Sequence, residues 1–128
     1  MLKCIVVTPE RTVRDEPADF VALPLYDGEM GIASRHCPMI GRLGYGEMRI
    51  KQGEQTSRYY VEGGFVEVLN NAVTVLTPRA VPAEELDVTV AEEQLRSAVA
   101  RPAAGPELME IRDRAVAQAR AQLHIAEK

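Results

Sequence analysis

A chain of 128 residues has room for one modest core and a small appendage. Its net charge of -4 and pI near 5.2 exclude a general nucleic-acid binder, because phosphate contacts need concentrated positive charge. Cys4 and Cys37 show no metal-ligand spacing and read as free thiols in a reducing compartment. No apolar run approaches the roughly 20 residues that span a bilayer, and Met1-Leu2-Lys3 opens a strand rather than a signal peptide. A soluble, cytoplasmic protein is expected. With no Trp and only six Phe plus Tyr, its core must be built from Val, Leu, Ile and Met.

Leu2–Val7 reads as a first strand, stopped by Thr8-Pro9 because proline cannot donate to a ladder. A short strand around Thr12–Arg14 precedes an expected turn at Asp15-Glu16-Pro17. Strands follow over Asp19–Leu25, with Pro24 at an edge or bend, and over Glu29–Ala33, with Met30 and Ile32 on one face. Ser34–Pro38 is a loop. Met39–Leu43 and Glu47–Lys51 read as strands flanking a glycine-rich turn, Gly44-Tyr45-Gly46, and Gln52-Gly53-Glu54 turns the chain into a strand over Ser57–Glu62.

The stretch Tyr59–Leu86 is the most strongly patterned. Val66, Val68, Val73 and Val75 suit a pleated, half-buried surface. Asn70-Asn71 can take the left-handed conformations that a two-residue hairpin requires. Gly63-Gly64 marks a bulge or a close backbone approach. Short strands with turn signals about every ten residues are the pattern of an all-β sandwich or barrel.

After Pro82 the β pattern stops and helical signals begin. Thr89 with Glu92 forms a capping box, and Val90–Val99 places Ala91, Leu95, Ala98 and Val99 on one face. Arg101–Pro106 breaks that helix. Pro106 suits the first turn of a second one, Glu107–His124, with a stripe of Leu108, Ile111, Ala115, Ala119 and Leu123. The expected fold is α+β: an antiparallel β-sandwich over residues 1–84, followed by an antiparallel two-helix hairpin over 85–128.

No catalytic constellation emerges. Ser34, His36 and Asp27 lie close in sequence without a nucleophile elbow, and Gly44-Tyr45-Gly46-Glu47 lacks the lysine of a phosphate-binding loop. His36 with Cys37 and Cys4 supplies no fourth ligand for a metal. Glu29 and His36 stand out as polar residues in the sandwich, as either contact residues or turn and loop fillers. Arg96, Arg101, Arg112, Arg114 and Arg120 load the hairpin with positive charge. Pairing such as Glu110 to Arg114 at i,i+4 would make part of that face a solvated one.

Three successions of residues resemble a known family. Asp27-Gly28-Glu29-Met30-Gly31-Ile32, His36-Cys37-Pro38-Met39-Ile40 and Gly46-Glu47-Met48-Arg49-Ile50 are similar, in order and spacing, to motifs of the epsilon subunit of rotary ATP synthases. Tyr60–Val68 and Asn71–Leu76 resemble its paired "GG-x-x-E-V" and "N-x-V-T-V-L" runs, so the match covers about residues 1–87.

The resemblance implies a non-catalytic rotor subunit of a proton-translocating ATP synthase, peripheral on the cytoplasmic face of a bacterial inner membrane. Its implied partners are the gamma subunit and the polar loops of the c-ring, with Thr8, Glu29 and His36 at contact positions. Its helices would lie folded on the sandwich or extend along gamma to the alpha and beta catalytic ring, where they hinder ATP hydrolysis. Arg112, Arg114 and Arg120 would meet an acidic segment there. Some bacterial members bind ATP through a motif at the first helix. Leu86, Asp87 and Ala91 match it, but Val90 stands where the arginine belongs, so no cofactor is expected. Two rivals remain: a stand-alone β-sandwich binding module with a helical dimerisation tail, and an ATP-sensing regulator.

Overall fold

The structure, a computed structural model, describes residues 1–127. The chain forms two compact units that divide between Pro82 and Ala83, within two residues of the expected division after residue 84.

The first unit is a sandwich of two five-stranded sheets. Sheet A has the order β2 (Thr12–Ala18), β1 (Leu2–Val7), β9 (Ala72–Leu76), β8 (Phe65–Leu69), β5 (Met39–Arg42). Sheet B has the order β10 (Ala80–Pro82), β7 (Gln55–Glu62), β6 (Tyr45–Gln52), β3 (Phe20–Leu25), β4 (Gly28–Ala33). Pairing is antiparallel except between β1 and β9, which run parallel. Strand alternation sends Cys4, Val6, Val66, Val68, Val73 and Val75 inward from sheet A, against Val21, Leu23, Ile32, Met48, Ile50 and Val61 from sheet B.

The strongly patterned stretch folds as expected. Asn70 and Asn71 both have positive φ, at 51° and 61°, as a type I′ turn between β8 and β9 demands. Gly64 has φ 99°, and a Cβ there would sit 1.9 Å from the Leu76 carbonyl oxygen. Only glycine lets β8 start so close to the end of β9.

Three β expectations change. Asp15-Glu16-Pro17 is no turn but the continuation of β2, with Pro17 opposite Lys3. As β2 is an edge strand, half of its N–H groups face away from the sheet and proline is tolerated. Gly44-Tyr45-Gly46 does not join a hairpin, because β5 pairs with β8 in one sheet and β6 with β3 and β7 in the other. The Gly44 segment carries the chain between sheets, with Leu43 N bonded to Gly64 O and Gly44 N to Pro24 O. A further short strand, β10, follows the crossover at Thr77, whose hydroxyl donates to Arg79 O and accepts from Glu62 N.

Arg14 projects from the inner face of β2 at the open side of the sandwich. Its guanidinium reaches Ser57 Oγ at 3.1 Å and Tyr59 Oη at 3.5 Å on β7, while pairing with Glu16. Burial pushes the nearby Cys4 thiol up to about 12, against a smaller downward pull from Arg14. Cys4 is therefore an inert core residue at neutral pH.

The second unit holds a 3-10 turn (Ala83–Glu85) and two helices, α1 (Val88–Val99) and α2 (Pro106–Ala126), packed together as a hairpin. The expected capping box at Thr89 is replaced by a cap at Asp87, two residues earlier. Its Oδ1 accepts from Thr89 N at 2.7 Å and Val90 N at 3.3 Å. Asp87 carries the charged side chain and takes the cap that Thr89 would have filled. Pro106 sits in the first turn of α2 as expected. The α2 stripe shifts along the helix: Leu108 and Ile111 are exposed, whereas Ala119, Gln122 and Ile125 are buried.

Candidate functional site

The outer face of sheet A is an unusual surface of the sandwich unit. A sheet exposed on one side normally alternates apolar inward with polar outward. Here β8 turns Phe65 and Leu69 outward, β9 turns Leu76 outward, and β5 adds Ile40, which is 76% exposed. The cross-strand pairs Phe65–Leu76 and Val7–Leu76 join one apolar cluster, and Ile40 with Leu69 forms a second on the far side of Glu67 and Thr74. Two shallow grooves flank them. One, of about 370 Å³, is lined by Pro38, Met39, Ile40, Glu67, Val68 and Leu69. The other, of about 310 Å³, lies between Val7, Thr8, Pro9, Leu76, Thr77 and Pro78.

Thr8 and His36 stand at opposite ends of this face. Thr8 closes the β1–β2 turn, its amide and hydroxyl both donating to Arg11 O at 3.0 and 3.2 Å. His36 lies in the loop from β4 to β5, beside the Asn70-Asn71 turn. Its Nδ1 is 2.8 Å from the Cys37 carbonyl oxygen. A carbonyl only accepts, so Nδ1 carries a proton there and, when the ring is neutral, Nε2 is the acceptor. Cys37 is an exposed free thiol.

Glu29 belongs to a different surface, the outer face of sheet B. It starts the edge strand β4 and pairs with Arg49 of β6. Between them on β3 is Ala22, opposite both Arg49 and Gly31. The small Ala22 side chain lets the arginine lie across β3 and reach Glu29. Arg49 also bonds Glu47 at 3.1 Å, and Glu47 in turn receives Arg58 of β7 at 2.7 Å. The result is an alternating row of four charges over β4, β6 and β7. Its hydrogen bonds to Glu47, and then to Glu29, hold the Arg49 pKa above its ordinary value. Glu47 and Arg58 were not singled out from sequence. Period-two alternation puts Glu47 and Arg49 on one face, but only the β6–β7 register brings Arg58 beside them.

In the hairpin the three arginines part company. Arg112 is half-buried and donates from Nε to the Val99 carbonyl at the end of α1, at 3.3 Å, where a cation complements unpaired carbonyls. Arg114 pairs with Glu110 at 3.5 Å, the expected i,i+4 contact between exposed side chains. Arg120 is exposed and has no ion pair among the described residues. In the Leu86–Ala91 motif, Asp87 is occupied as a helix cap, Ala91 is buried and Val90 is exposed.

Residues 1–83 match the family described as ATP synthase, delta/epsilon chain, beta-sandwich domain. The ATP synthase epsilon chain of Rhodopirellula baltica is 49% identical, with 95% of each chain covered. The chain belongs to the ATP synthase delta/epsilon family. The epsilon chain of Syntrophobacter fumaroxidans is 36% identical over 99% of this chain and 96% of the relative. Among solved structures, a chain of the Euglena gracilis mitochondrial ATP synthase (OSCP/F1/c-ring, rotational state 1) superimposes with TM-score 0.78 at 25% identity. That superposition covers 98% of this chain and 77% of the other. A chain from the central stalk and c-ring of the Tetrahymena thermophila enzyme shares the fold, with TM-score 0.73 at 13% identity and coverage of 98% and 96%. As a family member the chain is a non-catalytic stalk subunit of ATP synthase. Among the described residues no helix is long and apolar enough to cross a membrane.

The four-charge row makes a graded prediction. Glu47 is buried with both oxygens engaged, so Glu47→Gln should cost about 2–3 kcal/mol by leaving two arginines short of a counter-charge. Glu29 is half-exposed, and Glu29→Gln should cost less than about 1 kcal/mol. Urea denaturation of both variants measures the difference, and equal costs would show that the row is not organised around Glu47.

Proposed function

We propose that the chain couples rotation in a proton-translocating ATP synthase, peripheral on the cytoplasmic face of a bacterial membrane. In this reading gamma covers the outer face of sheet A, and the polar loops of the c-ring meet the Glu29 edge of sheet B. The exposed apolar clusters of Ile40, Phe65, Leu69 and Leu76 carry the proposal. Exposed apolar clusters on the outer face of a sheet mark a surface built to be covered. Thr8 and His36 frame that face, so their implied contact roles fit one partner, whereas Glu29 fits another. A close-packed sandwich is also suited to transmitting torque, because its interior deforms little.

The hairpin has a separate proposed role. Extended towards the alpha and beta ring, it would restrain hydrolysis through its exposed arginines. Arg114 and Arg120 are the better candidates, since Arg112 already serves the end of α1. Nucleotide is not proposed as a ligand: Val90 offers no charge to a phosphate, and Asp87 is spent on the α1 amides. A stand-alone module with a dimerisation tail, the rival reading, would bind no gamma at all.

Three measurements test these assignments. Ile40→Glu with Leu76→Glu should leave Tm nearly unchanged, because both side chains point outward, yet weaken gamma binding by about a hundredfold or more. Undiminished binding would place gamma elsewhere. Millimolar Mg-ATP should leave Tm of the wild-type chain where it is, since a ligand of the native state would raise it; a clear rise would restore the ATP-sensing reading. Finally, Arg114→Ala with Arg120→Ala should raise ATP hydrolysis by the reconstituted complex severalfold without loss of assembly. Hydrolysis at the wild-type rate, both there and after deletion of residues 88–128, would remove the hairpin from regulation.

A further inference from the structure

Asn71 does more than turn the chain from β8 into β9. Its side-chain Oδ1 accepts from the Arg35 backbone N–H at 2.8 Å, across a sequence separation of 36. Its Nδ2 donates to the Met1 carbonyl at 2.9 Å, and its own carbonyl accepts from Lys3 N at 3.0 Å. One amide side chain thus ties the β4–β5 loop and the first strand to a single turn. Arg35 is the residue that needs such a tie. It has φ 67°, a left-handed conformation that an arginine rarely adopts without outside support. The next residues are His36 and Cys37, and the loop then enters β5 at Met39, on the rim of the groove beneath Ile40 and Leu69.

We propose that Asn71 is a positioning residue for partner recognition. Its side-chain carbonyl holds Arg35 left-handed and thereby places His36 at the end of the apolar face. The inference rests on the reading that this face and its adjoining loop meet gamma. Asparagine suits both duties. It tolerates the positive φ of the turn, and its amide offers an acceptor and a donor on the two sides. A glycine would satisfy the turn alone. An aspartate would keep the acceptor for Arg35 and lose the donor to Met1.

The test compares Asn71→Gly, Asn71→Asp and His36→Ala in the full chain, with isolated gamma subunit as the probe. Amide hydrogen exchange at Arg35 and affinity for gamma are both read. In Asn71→Gly, exchange at Arg35 should quicken and gamma affinity should fall by about tenfold, on the scale of one lost hydrogen bond plus loop ordering. Asn71→Asp should retain protection at Arg35 and most of the affinity, a rescue that mere loss of turn stability would not predict. Protection of Arg35 unchanged in Asn71→Gly would overturn the positioning role. So would affinity lost in His36→Ala but kept in Asn71→Gly, leaving the gamma contact itself standing. Affinity unchanged in both variants would remove the loop from the interface, and the inference with it.

Discussion

Sheet A carries exposed apolar clusters on its outer face as well as an apolar inner one, and has only one sheet to pack against. Its inner face is closed by sheet B, with Val66, Val68, Val73 and Val75 buried. The outer face keeps Phe65, Leu69 and Leu76 in water, the last with half of its surface exposed at 51%. Folding can satisfy the first face within the chain, and association must satisfy the second. Sheet B differs, because its outer face carries a charged row that neutralises itself. Arg49 and Arg58 alternate with Glu29 and Glu47, so little net charge projects from it. The two sheets therefore offer unlike surfaces on opposite sides of one rigid body.

Much of this was legible in the sequence. Where a residue type admits few conformations, the reading was sound: Asn70-Asn71 as a left-handed pair, Gly64 as a close approach, Pro106 at a helix start. The organisation of elements also followed from patterning, and motif resemblance extended it to the family. What sequence could not resolve depended on partners distant in the chain. Pro17 looks like a strand terminator until β2 is known to lie at an edge. Gly44 and Gly46 look like a hairpin turn until β5 and β6 prove to belong to different sheets. The α2 stripe held at Ala119 but not at Leu108 and Ile111, for another reason. With so many alanines, several faces of the helix have similar apolar content, and burial is then decided by packing rather than periodicity.

The candidate positions show the same division. Thr8, Glu29 and His36 came from motif correspondence, which says nothing of their arrangement. The fold distributes them over two ends of one sheet and the edge of the other. Asn71 entered only as a turn residue, because a bond to Arg35 across 36 positions has no local signature. Arg112 likewise read as surface charge until the hairpin brought it to the Val99 carbonyl.

The parallel pairing of β1 with β9 also bears on how the protein is made. β1 lies inside sheet A, between β2 and β9, and its register sets Lys3 beside Ala72. Translation delivers β1 and its hairpin partner β2 early, but β9 emerges only about seventy residues later. Until then the inner strand of the sheet keeps a free edge, and β5 has nothing to join before β8 exists. Such a high contact order slows folding and prevents the sandwich from closing piecemeal on the ribosome. The nascent domain thus keeps unpaired strand edges exposed until residue 76 has left the exit tunnel.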